Sequence, residues 1–305
     1  MISLKRLTLE DGADIEGFVS KFAAYSDFNF VSLYSWSLHS QTMFYLNNGM
    51  LLLKLPDYSS QESIYTFMIL ENLDENVSGL IDYFVSNNIQ LSFSLIPEEL
   101  VPNLRKHLMS RNYGFRFEED RGNFDYLLDI KKIFLAEGHE YSDYRYKLSK
   151  FSRDWGGLVT MYNFDVEKRE DVMQAEKLLK DWVLAKDKNN LDYEFEGLAF
   201  SRFLQIAQRS KNLGYKAFKY KGELVALSSY ELIDDTRAIG HFIKYNPEIR
   251  NIFYYLVNET CKDLYRMGIN ELNIEQDLNI IALRQSKMHL RPKGFLKKYS
   301  LDIAG

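Results

Sequence analysis

The sequence has one cysteine, no long apolar run and no leader-like N-terminus. A single thiol, Cys261, cannot form an internal disulfide, which favours a reducing compartment. No apolar run approaches the roughly 18 residues of a membrane-spanning helix. Residues 1–6 lack the apolar core and cleavage site of a signal peptide. The sequence therefore predicts a cytoplasmic protein without a transmembrane segment.

Common catalytic motifs are also missing. The chain has no Gly-rich phosphate loop of the P-loop or dinucleotide type and no His-Glu-x-x-His. No two histidines have the spacing of a helical metal site. The five histidines are His39, His107, His139, His241 and His289. No metal site is predicted from them. Cys261 has no neighbouring group that would activate it, so we expect a buried structural thiol.

The composition is that of a folded protein. The chain has 305 residues and 46% of them are hydrophobic, which is enough for one large domain or two smaller ones. Its formal net charge is −5, so the chain as a whole repels a polyanion. Any nucleic-acid partner would have to be held by a local basic patch.

The pattern of apolar residues predicts an α/β (α+β) protein. Two apolar runs, residues 42–46 and 50–55, flank an Asn-Asn-Gly turn and predict a hairpin. Strands and helices then alternate, and the second half repeats the order of the first. We predict an N-terminal domain over residues 1–135, a connector over 136–157 and a C-terminal domain over 158–305 that carries the site.

Two stretches of the first half are rich in aromatic residues. Residues 28–36, Phe-Asn-Phe-Val-Ser-Leu-Tyr-Ser-Trp, are suited either to a core or to the wall of a pocket. Residues 141–153 mix tyrosines with bases, among them Arg145. That mixture suits either a solvated helical connector or a surface that binds phosphates and stacks on rings.

The C-terminal stretch has the strongest contrast of charge. Residues 246–248, Asn-Pro-Glu, predict a helix start, and Gly268 predicts the end of that helix. A strand over residues 271–275, a polar turn, a helix over 280–290 and a strand over 295–301 are expected to follow. Six Lys or Arg and no acid lie between residues 284 and 299, directly after Glu275 and Asp277.

Several ionisable residues are expected near the ends of these strands. Glu231, Glu275 and Asp277 could converge where α/β folds place binding chemistry, next to a helix N-terminus. A carboxylate there would bind or deprotonate an amine, or form a salt bridge with Arg284 or Lys287. His241 titrates in the range of a general base, although such a histidine also serves as a hydrogen-bonded core residue.

The sequence resembles an uncharacterised bacterial family grouped with the C-terminal domain of phosphatidylglycerol lysyltransferase. The motifs that carry the resemblance are residues 273–278, Asn-Ile-Glu-Gln-Asp-Leu, residues 283–287, Arg291-Pro292, residues 295–299 and the aromatic stretch 28–36. The resemblance implies two tandem GNAT-like domains, each a mixed curved sheet flanked by helices. It also implies acyl transfer, with acyl-CoA or aminoacyl-tRNA as the possible donor.

The sequence departs from the family pattern at two places. The GNAT pyrophosphate loop has the pattern Arg/Gln-x-x-Gly-x-Gly/Ala, but residues 246–251 contain no glycine, and Glu248 would repel a pyrophosphate. Family members often have a basic stretch of the form Gly-Arg-Lys-x-x-x-Lys-Lys-Arg-Asn just before the second domain. In this sequence only Gly138 and Arg145 match that form. No flippase segment is present, so a lipid acceptor is not implied.

The resulting hypothesis is a transferase that moves an acyl or aminoacyl group to an amine or hydroxyl of a small-molecule or aminoacyl acceptor. Glu275 or Asp277 would orient or deprotonate the acceptor, and Tyr299 would protonate the leaving group. The residues predicted to bind substrate are Glu231, His241, Arg284, Lys287, Lys297, Lys298 and Arg145. One alternative is a catalytically inactive binding protein for a small anionic ligand. A second is an RNA-associated module. A tRNA is a possible partner of the enzyme and of the RNA-associated module.

Overall fold

The computed structural model describes residues 2–37, 42–56, 63–185 and 192–304, except for the side chains of 192–194. The first series of elements is β1 (Lys5–Arg6), α1 (Gly12–Val19), α2 (Phe30–Ser35), β2 (Met43–Asn47), β3 (Met50–Pro56), β4 (Ser63–Ile69), α3 (Leu73–Ser86), β5 (Ser92–Pro97), α4 (Val101–Ser110), β6 (Gly114–Glu119) and β7 (Asp125–Asp129). Two helices follow, α5 (Ile130–Leu135) and α6 (Ser142–Trp155).

The second series repeats the order of the first. It consists of β8 (Val159–Tyr162), α7 (Arg169–Ala185), α8 (Asp192–Ala207), β9 (Leu213–Tyr220), β10 (Glu223–Leu232), β11 (Arg237–Tyr245), α9 (Ile252–Arg266), β12 (Glu271–Asn273), α10 (Ile281–His289), β13 (Gly294–Leu296) and β14 (Lys298–Ala304). Each series is therefore a strand, two helices, three strands, a helix, a strand, a helix and two strands. The predicted repetition is present.

The chain forms two compact units, and each unit is built from separated segments. Unit 1 contains Met1–Asp125, Gln276–Ile280 and Leu296–Gly305; unit 2 contains Tyr126–Glu275 and Ile281–Phe295. The continuous domains predicted over residues 1–135 and 158–305 divide the chain differently. The main reason is β14, which forms backbone hydrogen bonds with two strands of the first series.

Unit 1 contains two antiparallel sheets, β1-β2-β3-β4 and β5-β14-β6. Asn48 and Gly49 have φ values of 52° and 74°, which is the left-handed turn that the Asn-Asn-Gly sequence predicted between β2 and β3. The aromatic stretch 28–36 forms α2, and Phe28 and Phe30 are buried. This stretch is therefore part of a core.

Unit 2 contains one seven-stranded sheet in the order β13-β7-β12-β11-β10-β9-β8. The sheet is mixed, because β11 and β12 are parallel and are linked through α9, whereas the neighbouring ladders from β8 to β11 are antiparallel. Helix α9 buries Leu256, Val257 and Leu264 against the sheet. Cys261 lies in the same core, where burial raises the pKa of the thiol to about 12.

The predicted start of the helix after β11 was wrong. Asn246 does not cap a helix; its side-chain Oδ1 accepts a hydrogen bond from the backbone N–H of Glu248 at 2.9 Å. Such a local turn competes with helix formation. Helix α9 begins at Ile252, after Asn251 with a φ of 65°, and ends before Gly268 with a φ of 90°.

Two further predictions of secondary structure need correction. The polar sequence of residues 189–196 predicts a loop, but α8 begins at Asp192, and residues 189–191 lie outside the described part of the chain. The strand predicted over residues 295–301 is two strands, β13 and β14, which join different sheets. The predicted connector contains α6, which packs on α9 through a stacked Phe151–Tyr255 ring pair at 4.4 Å.

No helix in the described ranges of the chain is both long enough and apolar enough to cross a membrane.

Candidate active site

The two parallel strands of unit 2 are paired over three residues. Arg237, Ala238 and Ile239 pair with the three residues of β12, and β11 then continues to Tyr245 in its ladder with β10. That β10–β11 ladder pairs Tyr230 with Gly240 but Ser229 with Phe242, so His241 is the extra residue of a β-bulge. Bulges of this kind redirect a side chain, and here the bulge lies just beyond the pairing with β12.

His241 lies between two carboxylates. Its Nε2 is 3.2 Å from Oε2 of Glu231 on β10, and its Nδ1 is 3.4 Å from Oε1 of Glu275, which follows β12. The exposed fractions of the side chains are 2% for His241, 7% for Glu231 and 20% for Glu275. The structure therefore brings together three of the residues that the sequence proposed, with Glu275 the most accessible to a ligand.

This arrangement keeps His241 protonated at neutral pH. Burial alone lowers the pKa of the imidazole, but the hydrogen bonds and negative charges of Glu231 and Glu275 outweigh burial and raise the pKa to about 9. A cationic His241 cannot accept a proton, so it is not the general base of this site near pH 7. It instead holds the two carboxylates.

The raised pKa predicts a stability that depends on pH. Because the folded-state pKa of about 9 exceeds the ordinary value of 6.5, the stabilisation is complete below pH 6.5 and is lost as the pH rises through 9. A shift of this size corresponds to about 3 kcal/mol in the free energy of unfolding. Urea unfolding between pH 6 and pH 10 should show this loss in the wild type and not in His241→Gln.

His289 provides the control for that prediction. It is about half exposed and lies 3.4 Å from Asp143, so His289→Gln should retain the wild-type dependence on pH. A His241→Gln variant whose pH profile parallels that of the wild type would show that His241 is neutral in the folded protein.

The backbone of Glu275 is in an unusual conformation. Its φ is 58°, in the left-handed region that residues with a Cβ seldom adopt. The side-chain Oδ1 of buried Asn273 accepts a hydrogen bond from the N–H of Glu275 at 2.7 Å, and the carbonyl of Glu275 accepts one from the N–H of Tyr126. These contacts hold the carboxylate at the point where β12 ends.

Lys287 lies beside the same strand end. Its ammonium donates to the carbonyl of Ile274 at 2.5 Å and lies 5.8 Å from the centre of the Tyr126 ring. Lys287 is therefore near the backbone that carries Glu275. Its predicted role in binding substrate stays a prediction, as does that of Arg284 on α10.

Four other predicted site residues belong to unit 1. Asp277 is fully buried, and its Oδ2 lies 3.2 Å from Nη1 of Arg121. Lys297 and Tyr299 both approach Oε1 of Glu119 at 3.2 Å. The pKa of Tyr299 is raised by burial and by its hydrogen bond to Glu119. These residues thus lie in a different compact unit from Glu275.

Lys298 is enclosed in unit 1. Its ammonium forms ion pairs with Asp27 and, at 2.8 Å, with Asp125, and none of its side chain is exposed. Burial lowers the pKa of the lysine, but the charges of Asp125 and Asp27 outweigh burial and raise it. Asp125 also accepts hydrogen bonds from the N–H and the hydroxyl of Ser26. These contacts are those of a structural cluster.

Arg145 and Lys216 also have structural partners. Arg145 donates to the carbonyls of Ala136 and Gly138 just after α5. Lys216 lies in residues 201–222, the acid-free basic stretch that an RNA-associated module would use. It is buried and forms a 2.5 Å ion pair with Asp263. Lys219 from that stretch lies 3.6 Å from the centre of the Tyr162 ring.

A groove of about 470 Å³ lies in unit 2 between α7, the β9–β10 turn and the loop after β11. Trp182 and Leu178 contribute apolar surface. The charged residues of the lining are Asp181, Glu223, Glu248 and Lys177, and the last of these pairs with Glu223 at 2.7 Å. The described lining is therefore acidic, and sequence patterns gave no indication of the groove.

The groove adjoins the strand that carries His241. The ammonium of buried Lys244 lies 4.1 Å from the centre of the Trp182 ring and forms an ion pair with Glu196. Lys244 follows His241 by three residues on β11. An ammonium group is thus already accommodated between a ring and a carboxylate at this wall of unit 2.

A family model described as phosphatidylglycerol lysyltransferase, C-terminal, matches residues 21–302. The chain belongs to this family. No curated protein sequence matches it. Within the described residues, no group of three His, Cys, Asp or Glu side chains could hold a metal ion.

Solved structures similar to this member of the phosphatidylglycerol lysyltransferase C-terminal family share its fold. A conserved protein of unknown function from Bacteroides thetaiotaomicron has a TM-score of 0.84 and 20% identity, with both chains fully covered. The C-terminal domain of a candidate lysylphosphatidylglycerol synthetase from Agrobacterium fabrum has a TM-score of 0.66 and 14% identity, covering 97% of this chain and 92% of that one.

L-PGS from Bacillus licheniformis has a TM-score of 0.63 and 13% identity, covering 98% of this chain and 92% of that one. These similarities and the repeated element order confirm two tandem GNAT-like domains. The family and the fold are those of a GNAT-like acyltransferase.

Proposed function

We propose that the protein transfers an acyl or aminoacyl group to an amine or hydroxyl acceptor and that Glu275 accepts the proton of the attacking group. The observation that carries this proposal is the Glu231–His241–Glu275 group just beyond the pairing of β11 with β12. Glu275 is its most exposed member, and a carboxylate within reach of an acceptor proton is suited to general base catalysis.

The proposed reaction is a direct transfer within a ternary complex. The acceptor nitrogen or oxygen attacks the carbonyl carbon of the donor, forming the new C–N or C–O bond, while its proton passes to Glu275. The bond from that carbon to the donor sulfur or oxygen then breaks, and the proton of Glu275 is available to the leaving group. No oxidant or metal is needed.

The acidic groove supports an amine as the acceptor. Asp181, Glu223 and Glu248 outnumber the single lysine among the described lining residues, so an ammonium group is attracted to the groove and a phosphate is repelled. The same charges disfavour the pyrophosphate of acyl-CoA beside Glu248. We therefore take an aminoacyl-tRNA as the donor in this proposal, with its phosphates bound away from this groove.

A thermal-shift panel tests the choice of donor and acceptor. It contains acetyl-CoA, free CoA, bulk aminoacylated tRNA, the same tRNA uncharged, inorganic phosphate and 1,4-diaminobutane. A ligand at a hundred times its dissociation constant stabilises the fold by about 2.7 kcal/mol, a readily measured shift. We expect shifts with charged tRNA and with the diamine, followed by discharge of the tRNA when both are present.

Each other outcome changes the proposal. A shift with CoA would identify an ordinary acyl-CoA enzyme despite Glu248. A shift with phosphate and with neither donor would favour the non-catalytic anion-binding protein. Equal, salt-sensitive shifts with charged and uncharged tRNA would favour the RNA-associated module, because phosphate contacts release counterions.

A further inference from the structure

Two members of the proposed site do not reach a ligand. Glu231 and His241 are buried, whereas Glu275 is partly exposed. Consecutive side chains of a regular strand point to opposite faces of the sheet, but the bulge at His241 breaks this alternation. The rings of His241 and Phe242 therefore both lie near the Phe203 ring on α8, at 6.0 Å and 5.1 Å. His241 and Glu231 therefore form the layer behind Glu275.

The contacts within this layer restrict the imidazole. Its two nitrogens are separated by one ring carbon, and each is within 3.4 Å of a different glutamate. Rotation of the ring would break both contacts at once. Since Glu231 lies on β10 in the interior of the sheet, it provides the fixed end of the chain of contacts, and Glu275 is the end that faces a ligand.

Other described groups around the site act on the backbone near Glu275. Lys287 from α10 approaches the carbonyl of Ile274, and Asn273 from β12 accepts from the N–H of Glu275. From α8, the uncharged ring of Phe203 lies 6.0 Å from the ring of His241. Those contacts fix the backbone of Glu275, whereas His241 approaches its carboxylate.

We propose that Glu231 is a positioning residue, which acts through the His241 imidazolium to hold the Glu275 carboxylate charged and oriented toward the acceptor. This inference rests on the proposed function. The physical reason is that an imidazolium flanked by one glutamate alone is less strongly retained as a cation than one flanked by two. Without Glu231, His241 loses its proton at a lower pH, and Glu275 loses the cation that orients it.

NMR titration of the full chain with labelled histidine tests the coupling without any substrate. In the wild type, His241 should titrate near pH 9. Glu231→Gln should lower the titration of His241, and Glu231→Asp should largely restore it. Glu223→Gln, the same change at the exposed start of β10, should leave it at the wild-type value.

Kinetics provides the second readout. With a donor and acceptor identified, Glu231→Gln should lower kcat at least tenfold with little change in KM, as expected when a group that orients a catalytic base is lost. The alkaline limb of its pH profile should also move to lower pH, because His241 then loses its proton at a lower pH. Because Glu223 lines the groove, Glu223→Gln is a control for the titration and not for the kinetics. The kinetic control is Glu176→Gln, a substitution at an exposed residue of α7.

Failure of the inference and failure of the proposed function can be distinguished. If the wild type transfers no acyl group from any donor, the proposed function fails, and the titration still decides whether Glu231 controls His241. If the wild type is active and Glu231→Gln retains its titration, kcat and pH profile, the positioning role is overturned. If Glu231→Gln does not fold, the titration of His241, kcat and the pH profile are measured on Glu231→Asp and compared with those of the wild type.

Discussion

Replacing Lys298 with methionine should lower the free energy of unfolding by about 3–5 kcal/mol. The substitution keeps much of the side-chain volume but leaves Asp125 and Asp27 buried without the ammonium between them. Removing one partner of a buried ion pair is strongly destabilising, because the remaining charge stays desolvated. Urea denaturation of the full chain, followed by far-UV circular dichroism, measures the change.

The adjacent lysine provides a matched control. Lys297 is partly exposed and pairs with exposed Glu119, so Lys297→Met should leave the free energy of unfolding nearly unchanged. Equal effects of the two substitutions would contradict a structural role for Lys298. A stable Lys298→Met variant that had lost a ligand from the thermal-shift panel would instead support the substrate-binding role predicted from the sequence.

Replacing Glu275 with glutamine should lower kcat by about 100- to 10,000-fold, the usual contribution of a general base. The melting temperature should change little, because His241 keeps Glu231 as a partner and the amide of glutamine can still form a hydrogen bond. Steady-state kinetics with the donor and acceptor from the panel measures the first effect, and differential scanning calorimetry measures the second.

Asp277→Asn separates the two candidate bases. Asp277 is fully buried beside Arg121 in unit 1, so its substitution should lower stability, and any loss of activity should follow that loss. If Asp277→Asn were instead inactive and stable while Glu275→Gln remained active, the roles would be reversed. A large drop in melting temperature for Glu275→Gln would mark Glu275 as a structural residue.

The sequence predicted the secondary structure where the signals are local. The Asn-Asn-Gly turn of the first hairpin and Gly268 after α9 are in the predicted places, because each requires a backbone conformation that few residues adopt. The predicted start of α9 was wrong by five residues, since Asn246 accepts a hydrogen bond from the N–H of Glu248 in a turn instead of capping the helix. The short sequence Asn-Pro-Glu is compatible both with a helix start and with such a turn.

The candidate site was predictable in part. Glu231, Glu275 and Asp277 were expected to converge, because the ends of neighbouring strands meet at one place in the sheet. The structure brings Glu231 and Glu275 to opposite nitrogens of His241, whereas Asp277 belongs to unit 1. The bulge at His241 was not predicted, although Gly240 just before it is a residue that often marks one. The burial of Asp277 and Lys298 was also missed, since a run of acids and bases in sequence carries no information about which side chains turn inward.

The sequence by itself determined the α/β class, the repeated order of elements and the family, because apolar periodicity, turn residues and motifs are properties of short stretches. Only the tertiary structure decided that Glu275 approaches solvent while Asp277 and Lys298 are enclosed. It also decided that β14 joins the sheet of β5 and β6. These outcomes depend on residues far apart in the chain, such as Asp125 and Lys298, which are 173 positions apart and meet at 2.8 Å.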